Sequence, residues 1–206
     1  MKNSYGLGEL IRNIISLVYT KIFFKGARLI RTPIYIRGKK FFNYGKGLTT
    51  GYNCRIEMFA VHSSAGEKII IGKNCKMGDH VHIAAGEKVY IGENCLFASK
   101  IYISDISHGD YSDLETASNP NTPPDERTLV TKPVSIGNNV WLGDNVCVLP
   151  GVRIGNGCVI GANAVVNGDI PDNSIAVGVP AKVIKYFDGD KGYWVKGNNV
   201  NNKDNK

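Results

Sequence analysis

The chain has 206 residues, of which 43% are hydrophobic, and a formal net charge of +7 at pH 7. This length and composition suffice for one compact domain with a real core, and they exclude a predominantly disordered polypeptide. The five cysteines form no CxxC pair and their odd count argues against a disulfide framework, which indicates a reducing compartment.

The first 46 residues hold all of the net basicity, with ten Lys or Arg against one acid, Glu9. Residues 10–24 are strongly apolar, and we expect them to form a helix whose apolar stripe caps the open end of a repeat fold. The alternative is an amphipathic helix lying on an anionic membrane surface. Nucleic-acid binding is not favoured, because no helix-turn-helix, RNA-recognition or zinc-finger pattern is present.

From residue 136 onward the chain repeats in sixes. Apolar residues open each hexad and small or medium apolar residues hold its fifth place, and the two sets are Ile136, Leu142, Val148, Ile154, Ile160, Val166 and Val140, Val146, Val152, Cys158, Ala164, Ile170. A period of six fits neither a helix nor a lone strand, and it is typical of a parallel β-helix built from stacked coils. Three hexads make one coil of 18 residues.

The same period runs earlier with a longer coil, since Ile71-Gly72 and Ile91-Gly92 lie 20 residues apart. Glycine in the second place of a hexad indicates a corner where a Cβ would obstruct the neighbouring coil. Three cysteines (Cys54, Cys75, Cys95) recur at nearly this spacing, and we interpret them as stacked core residues.

The sequence pattern therefore predicts an all-β solenoid at residues 47–185. A basic helical cap and the first strands precede it at residues 1–46. A C-terminal extension follows at 186–206, and its polar tail is expected to be disordered. A looped insertion at 107–133 interrupts the coils, and such insertions often form the binding face of a solenoid. His108 lies at the root of this loop, three residues after Asp105.

Two tracts, SIGNNVWLGDNVCVLPGVRIGNGCVIGANAVV (135–166) and DIPDNSIAVGVPAKVIK (169–185), resemble the hexapeptide-repeat acyltransferases, the left-handed β-helix family. SDISHG (104–109) and PPDERTL (123–129) resemble the O-acetyltransferases of bacterial surface polysaccharide synthesis within that family. The resemblance covers residues 71–185 and implies a left-handed parallel β-helix that uses acetyl-CoA as acyl donor. The handedness comes from the resemblance alone, because parallel crossovers are otherwise right-handed.

The resemblance also implies the catalytic residues. His108 corresponds to the family's catalytic histidine, and imidazole can take a proton from a hydroxyl near neutral pH. Asp105 is expected either to orient His108 or to cap the loop. The backbone amide that stabilises the oxyanion lies just after the Trp-hydrophobe-Gly motif, which here is Trp141-Leu142-Gly143-Asp144.

The predicted cofactor-binding residues are Trp141, Gly143, Asp144, Gly161, Ala162, Lys182 and Lys185. The two lysines match basic residues that meet the nucleotide end of coenzyme A. Asn167-Gly168 departs from the family, whose members often carry Thr-Lys there, so a phosphate contact is expected to be lost. Asp79, His80 and His82 are candidate sugar contacts.

The sequence thus predicts a cytoplasmic, homotrimeric O-acetyltransferase of cell-surface polysaccharide synthesis, such as lipopolysaccharide or capsule, with no metal and no nucleic-acid partner. Its acceptor would be a sugar or a lipid-linked saccharide, and residues 1–46 would allow peripheral contact with the inner membrane surface. Alternatives are an N-acetyltransferase acting on an amino sugar nucleotide and a scaffolding solenoid. A zinc carbonic anhydrase of the same fold would use histidines drawn from His62, His80, His82 and His108.

Overall fold

The computed structural model describes residues 6–61, 66–112, 115 and 117–197. One helix, α1 (Leu7–Phe23), precedes the strands. The first three coils comprise β1 (Leu29–Ile30), β2 (Ile34–Arg37), β3 (Phe42–Tyr44); β4 (Thr49–Thr50), β5 (Cys54–Met58), β6 (Ile69–Ile71); and β7 (Lys76–Met77), β8 (His82–Ala85), β9 (Val89–Ile91). The next strands are β10 (Leu96–Phe97), β11 (Tyr102–Ser104), β12 (Ile106–His108), β13 (Leu129–Thr131) and β14 (Val134–Ile136). The described chain ends with β15 (Trp141–Leu142), β16 (Cys147–Val148), β17 (Arg153–Ile154), β18 (Val159–Ile160), β19 (Val165–Val166), β20 (Ser174–Val177), β21 (Lys182–Asp188) and β22 (Tyr193–Lys196).

Successive strands cycle through three parallel sheets, so each coil adds one strand to each sheet. The first sheet has the order β1-β4-β7-β10-β15-β18-β20, the second contains β2-β5-β8-β11-β16-β19, and the third contains β3-β6-β9-β14-β17. The predicted spacings appear directly in the register, because Ile71 pairs with Ile91 and Leu142 pairs with Ile160. The described chain is therefore mostly sheet with one α-helix, as the all-β prediction required.

The core is the column of apolar residues inside these three sheets. The twelve hexad residues from Ile136 to Ile170 that the sequence pattern assigned inward are each 5% exposed or less. Cys54, Cys75 and Cys95 are buried free thiols, which confirms their interpretation as core residues. Burial raises the pKa of the Cys54 thiol to about 11.

The corners depend on two kinds of residue. A Cβ on Gly72 would lie 2.6 Å from the carbonyl carbon of Gly92 in the next coil, which explains glycine in the second place of the hexad. The described non-glycine residues with left-handed backbone are mostly asparagines, which tolerate positive φ. They are Asn53, Asn74, Asn94, Asn139, Asn145, Asn163 and Asn173, joined by His80 and Lys100.

The looped insertion leaves the solenoid after β11, at the carboxyl end of that strand of the second sheet. Its two ends form an antiparallel pair, β12 with β13, in which His108 is opposite Leu129. A short 3₁₀ helix (Pro124–Glu126) lies within the loop. The insertion therefore begins and ends in regular structure.

The orientation of α1 differs from the prediction. Its two buried residues are polar, Ser16 and Thr20, both 0% exposed. Ile30 N donates to Thr20 Oγ1 (2.8 Å) and Thr32 N donates to Ser16 Oγ (3.1 Å), so α1 joins the first coil by hydrogen bonds. The expectation that the apolar stripe would pack on the solenoid was wrong, since that stripe faces outward.

A C-terminal hairpin extends the first sheet beyond the coils. β21 pairs antiparallel with β20, and β22 pairs antiparallel with β21. Its turn is closed by Asp188, whose carboxylate pairs with Lys191 (2.9 Å). Residues 198–206, on which the predicted disordered tail falls, lie outside the described residues. No helix among the described residues is long and apolar enough to cross a membrane.

Candidate functional site

His108 occupies the last position of β12, and its side chain is exposed. Its Nδ1 donates a hydrogen bond to the Pro124 carbonyl oxygen (3.2 Å). A neutral imidazole that donates through Nδ1 has its lone pair on Nε2, so the contact selects the tautomer in which Nε2 can accept a proton. The geometry suits a general base, with the accepting nitrogen directed away from the loop's own carbonyl.

The backbone around His108 is held by the loop. Tyr111 Oη donates to the His108 carbonyl oxygen (2.8 Å), and Arg127 Nη1 donates to Tyr111 Oη (2.7 Å). Gly109 N donates to the Thr128 carbonyl (3.0 Å). Sequence reasoning missed Pro124, Tyr111 and Arg127, although two of them lie in the PPDERTL segment that carried the resemblance.

Asp105 does not face His108. It is 0% exposed, and its carboxylate accepts three backbone N–H groups, from Gly86 (2.7 Å), Glu87 (2.8 Å) and Lys88 (2.6 Å). Its carbonyl oxygen accepts from Lys132 N (2.8 Å), at the other end of the loop. Asp105 therefore caps the third coil, because both of its carboxylate oxygens accept backbone N–H groups there. The expectation that it orients His108 was wrong.

A second feature is a column of hydrogen bonds at the corner that follows the first sheet. In the second, third and fourth coils, the backbone N–H two residues beyond the strand donates to the side chain of the equivalent residue in the next coil. Tyr52 N donates to Asp79 Oδ1 (2.8 Å), Asp79 N to Ser99 Oγ (3.2 Å) and Ser99 N to Asp144 Oδ1 (2.8 Å). We call this the corner ladder.

The corner ladder stops at Asp144. The register of β15 with β18 places Ala162 as the next rung, and a methyl group cannot accept a hydrogen bond. Within the described part of the chain, the N–H groups of Asp144 and Ala162 have no acceptor, and both residues are exposed. Two neighbouring coils thus present free backbone donors to solvent, which is what an oxyanion or an extended amide chain would need.

The residues beside these donors are small. Gly143 N donates to the Ile160 carbonyl oxygen of the next strand in the first sheet (2.8 Å), so it is not a free donor. A Cβ on Gly143 would lie 2.6 Å from Ala162 N, and a Cβ on Gly161 would lie 2.7 Å from Val177 Cγ1. Trp141 begins β15 and is 50% exposed, as its outward place in the hexad predicted.

The three candidate sugar contacts lie at or just after the same corner, in the third coil. Asp79 is itself a rung of the corner ladder, two coils before Asp144, or ~10 Å along the stack. His80 is exposed and has left-handed backbone (φ 58°). His82 opens β8, and its Nε2 donates to the buried carboxylate of Glu57 (3.0 Å).

The two lysines assigned to coenzyme A lie on the C-terminal hairpin. Lys182 pairs with Val177 and Lys185 with Ile175 across the β20–β21 ladder, and both side chains are exposed. Asn167 lines a separate cleft of about 340 Å³ together with Ser107, Gly109, Tyr111 and Lys132. Because successive residues of a strand point to opposite sides, the His108 ring does not face this cleft.

The candidate residues therefore form two groups on one chain. His108 lies in the β12–β13 pair, which follows β11 of the second sheet. Trp141 lies on β15 of the first sheet, and Asp144 and Ala162 lie at the corner between the first and second sheets. In the described residues no group of three His, Cys, Asp or Glu side chains could hold a metal ion, and His62 lies outside them.

Comparisons with known proteins identify the family. Residues 133–168 match the family model described as bacterial transferase hexapeptide (six repeats). The chain is 44% identical over 193 residues to the "Putative lipopolysaccharide biosynthesis O-acetyl transferase WbbJ" of Escherichia coli K12, covering 93% of this chain and 95% of that protein. It is 52% identical over 65 residues to the galactoside O-acetyltransferase of the same organism, covering 31% of this chain and 32% of that enzyme.

Among solved structures, a variant of AntD, an N-acyltransferase from Bacillus cereus in complex with dTDP and coenzyme A, matches with a TM-score of 0.57. The match covers 89% of this chain and 91% of that chain at 23% identity, and it supports the fold alone. The resemblance stated from the residues is thereby confirmed at the level of the family.

Proposed function

Because this chain belongs to the hexapeptide-repeat transferase family, we propose that it is an acetyltransferase that moves the acetyl group of acetyl-CoA to a sugar hydroxyl. The observation that carries the proposal is the exposed His108 imidazole, whose Nδ1 donates to Pro124 and whose Nε2 can accept a proton. The coils are proposed to be left-handed, as the family resemblance implies. Residues 47–185 would form the catalytic solenoid, with the loop at 107–133 as its insertion.

The chemistry follows from these groups. The sugar hydroxyl gives its proton to His108 Nε2 as its oxygen attacks the thioester carbonyl. The negative charge that develops on the carbonyl oxygen is stabilised by a backbone N–H, for which Asp144 is the free donor. The C–S bond then breaks, and the thiolate of coenzyme A takes the proton from the imidazolium, which leaves an acetyl ester and free coenzyme A.

The transfer is proposed to be direct, without an acyl-enzyme. Four of the cysteines are buried and Cys147 is partly buried, and burial raises the pKa of the Cys54, Cys147 and Cys158 thiols. A thiol with a raised pKa has little thiolate at neutral pH, so it is a poor nucleophile. The hydrogen bond with Cys95 lowers the pKa of the Cys75 thiol, but Cys75 is 1% exposed and is closed to a substrate.

A homotrimer is proposed because, within one chain, the proposed base His108 and the free backbone donors lie at different corners of the solenoid. His108 is in the β12–β13 pair that leaves the solenoid after the second sheet, whereas the free N–H of Asp144 is at the corner before the second sheet. Side-by-side packing of solenoids would allow the loop of one copy to approach the corner ladder of its neighbour. Trp141 and the lysines Lys182 and Lys185 would then line the coenzyme A cleft between protomers.

The acceptor is proposed to be a sugar of a cell-surface polysaccharide, such as lipopolysaccharide or capsule, and the enzyme to be cytoplasmic. This rests on the near full-length similarity to the WbbJ protein, whose printed name refers to lipopolysaccharide biosynthesis. Asp79 and His80 would contact the sugar, since they lie at the same corner of the solenoid as the free donors, two coils or ~10 Å away along the stack. The second candidate is N-acetylation of an amino sugar nucleotide, which the AntD-like fold leaves open.

The test is release of coenzyme A thiol from acetyl-CoA in the presence of a panel of sugars, lipid-linked saccharides and amino sugar nucleotides. An ester product is cleaved by hydroxylamine, whereas an amide is not, so the product distinguishes the two candidates. We expect His108→Gln to lose at least ~100-fold in kcat with acetyl-CoA binding unchanged by calorimetry.

Rescue distinguishes a base from a structural residue. Added imidazole should restore part of the activity of His108→Ala, because it supplies the missing proton acceptor. Full activity of His108→Gln, or the lack of turnover by the wild-type protein on every acceptor of the panel, would contradict the proposal.

A further inference from the structure

The outward face of α1 is apolar although the helix is part of a folded domain. Leu7, Ile11, Ile14, Val18 and Ile22 follow the i, i+3, i+4 spacing of one helical face, and each is exposed, Ile14 to 53%. The face toward the solenoid buries the polar Ser16 and Thr20, with Tyr19 partly buried beside them. The usual arrangement of an amphipathic surface helix is therefore reversed.

This reversal is held by contacts to the whole first coil. Arg31 Nε donates to Asn13 Oδ1 (3.3 Å), Lys39 Nζ donates to the Phe23 carbonyl (3.0 Å), and Tyr44 Oη donates to the Lys25 carbonyl (3.4 Å). Phe24, just after the helix, is buried against Tyr44. The apolar stripe cannot turn inward without breaking these contacts, so it must meet something outside the chain.

The charges around the stripe indicate what that partner is. Arg12 and Lys21 lie on α1, and Lys25 and Arg28 follow it, all four exposed. Lys40 and Lys46 add exposed cations in the first coil, whereas Glu9 is the one acid in residues 1–46. An apolar stripe flanked by cations is complementary to the acyl boundary and headgroups of an anionic bilayer.

We propose that α1 lies on the surface of an anionic lipid bilayer, with the stripe of Leu7, Ile11, Ile14, Val18 and Ile22 inserted among the acyl chains. A second copy of this chain is the weaker occupant, since apposed helices would bring their cations together. Vesicle binding needs neither acetyl-CoA nor an acceptor, so it is measured separately from the acetyl transfer proposed above.

The experiment is co-sedimentation of the full-length protein with vesicles of phosphatidylcholine alone or with about one-third phosphatidylglycerol. We expect binding to the anionic vesicles that weakens with salt and falls at least tenfold in Ile14→Asp. Tyr193→Asp is the matched control, because Tyr193 is a 55% exposed apolar residue on β22, and its binding should equal that of the wild type. Neutralising Lys21 or Lys25 to Gln should weaken binding about fivefold each.

The outcomes separate the occupants. Circular dichroism and light scattering on Ile14→Asp report whether its fold and oligomeric state are unchanged. A wild-type protein that ignores both vesicle types, or binds both equally, overturns the proposal. A change of oligomeric state in Ile14→Asp without vesicle binding by the wild type assigns the stripe to self-association and also overturns it.

Discussion

Replacing Ala162 with serine tests the assignment of the free donors. In the corner ladder, Ser99 Oγ accepts from Asp79 N at 3.2 Å, and a serine at 162 would stand in the same relation to Asp144 N. Ala162→Ser should therefore add the missing rung. A neutral hydrogen bond of this kind contributes ~0.5–1.5 kcal/mol.

The free energy of this added hydrogen bond should raise the stability of the fold and lower the catalytic efficiency. It stabilises the fold, and about 1 kcal/mol corresponds to a rise in Tm of roughly 2–4 °C for a chain of this size. It also weakens catalysis, because Asp144 N–H must leave the serine before it can stabilise the oxyanion. The expected loss in kcat/KM for acetyl-CoA is then about 2- to 13-fold, the range that corresponds to the same hydrogen bond.

The assay is thermal unfolding at fixed protein concentration, together with thiol release at varied acetyl-CoA. Ser99→Ala is the mirror variant, and it should lower the stability by a similar amount because Asp79 N loses its acceptor. A stabilised Ala162→Ser enzyme with undiminished kcat/KM would refute the role of Asp144 N–H. Loss of activity without any stabilisation would show a steric effect of the added hydroxyl instead.

Three further predictions concern stability and reactivity. Asp105→Ala should destabilise the fold by at least ~3 kcal/mol in denaturant unfolding, because three backbone N–H groups lose a buried carboxylate; unchanged stability would contradict the capping role. Thr20→Val should cost ~1–3 kcal/mol, since Ile30 N–H loses its buried acceptor, and an unchanged midpoint would contradict the polar docking of α1. Cys54, whose pKa burial raises to about 11, should resist maleimide at pH 7.5 in the native protein and react after unfolding, as peptide mapping would show. Partly buried Cys147 should react before it, and fast native labelling of Cys54 would exclude the burial described here.

The sequence predicts the coils well because their rule is local and repeated. Each hexad contains an apolar residue that must point inward and, in most, a residue small enough for the corner, so Ile71 and Ile91 could be paired from spacing alone. The corner asparagines follow the same repeat, since a left-handed residue recurs at the corners before and after the first sheet. His108 could be singled out because it stands where the period breaks.

The errors arise where the pattern allows two arrangements. An amphipathic helix has two faces, and the sequence does not show that Ser16 and Thr20 are the ones that dock. Asp105 precedes His108 closely, yet its carboxylate binds the third coil whereas the His108 ring binds the loop, which spacing cannot reveal. The β21–β22 hairpin was not predicted, since only a C-terminal extension is expected there from the sequence. Its Gly- and Asp-containing turn between aromatic runs is a hairpin signal.

The paired ends of the insertion have a practical consequence. β12 and β13 pair at the base of the loop, which we call its neck, and Asp105 binds that neck to the third coil. The backbone position of His108 is therefore fixed largely by the neck. Segments beyond the neck could be exchanged between relatives without shifting the proposed base, provided that Tyr111, Pro124 and Arg127, which hold the His108 backbone and ring, are kept. The rest of the loop's tip is thus a natural place to graft new sequences onto an unchanged frame around the proposed base.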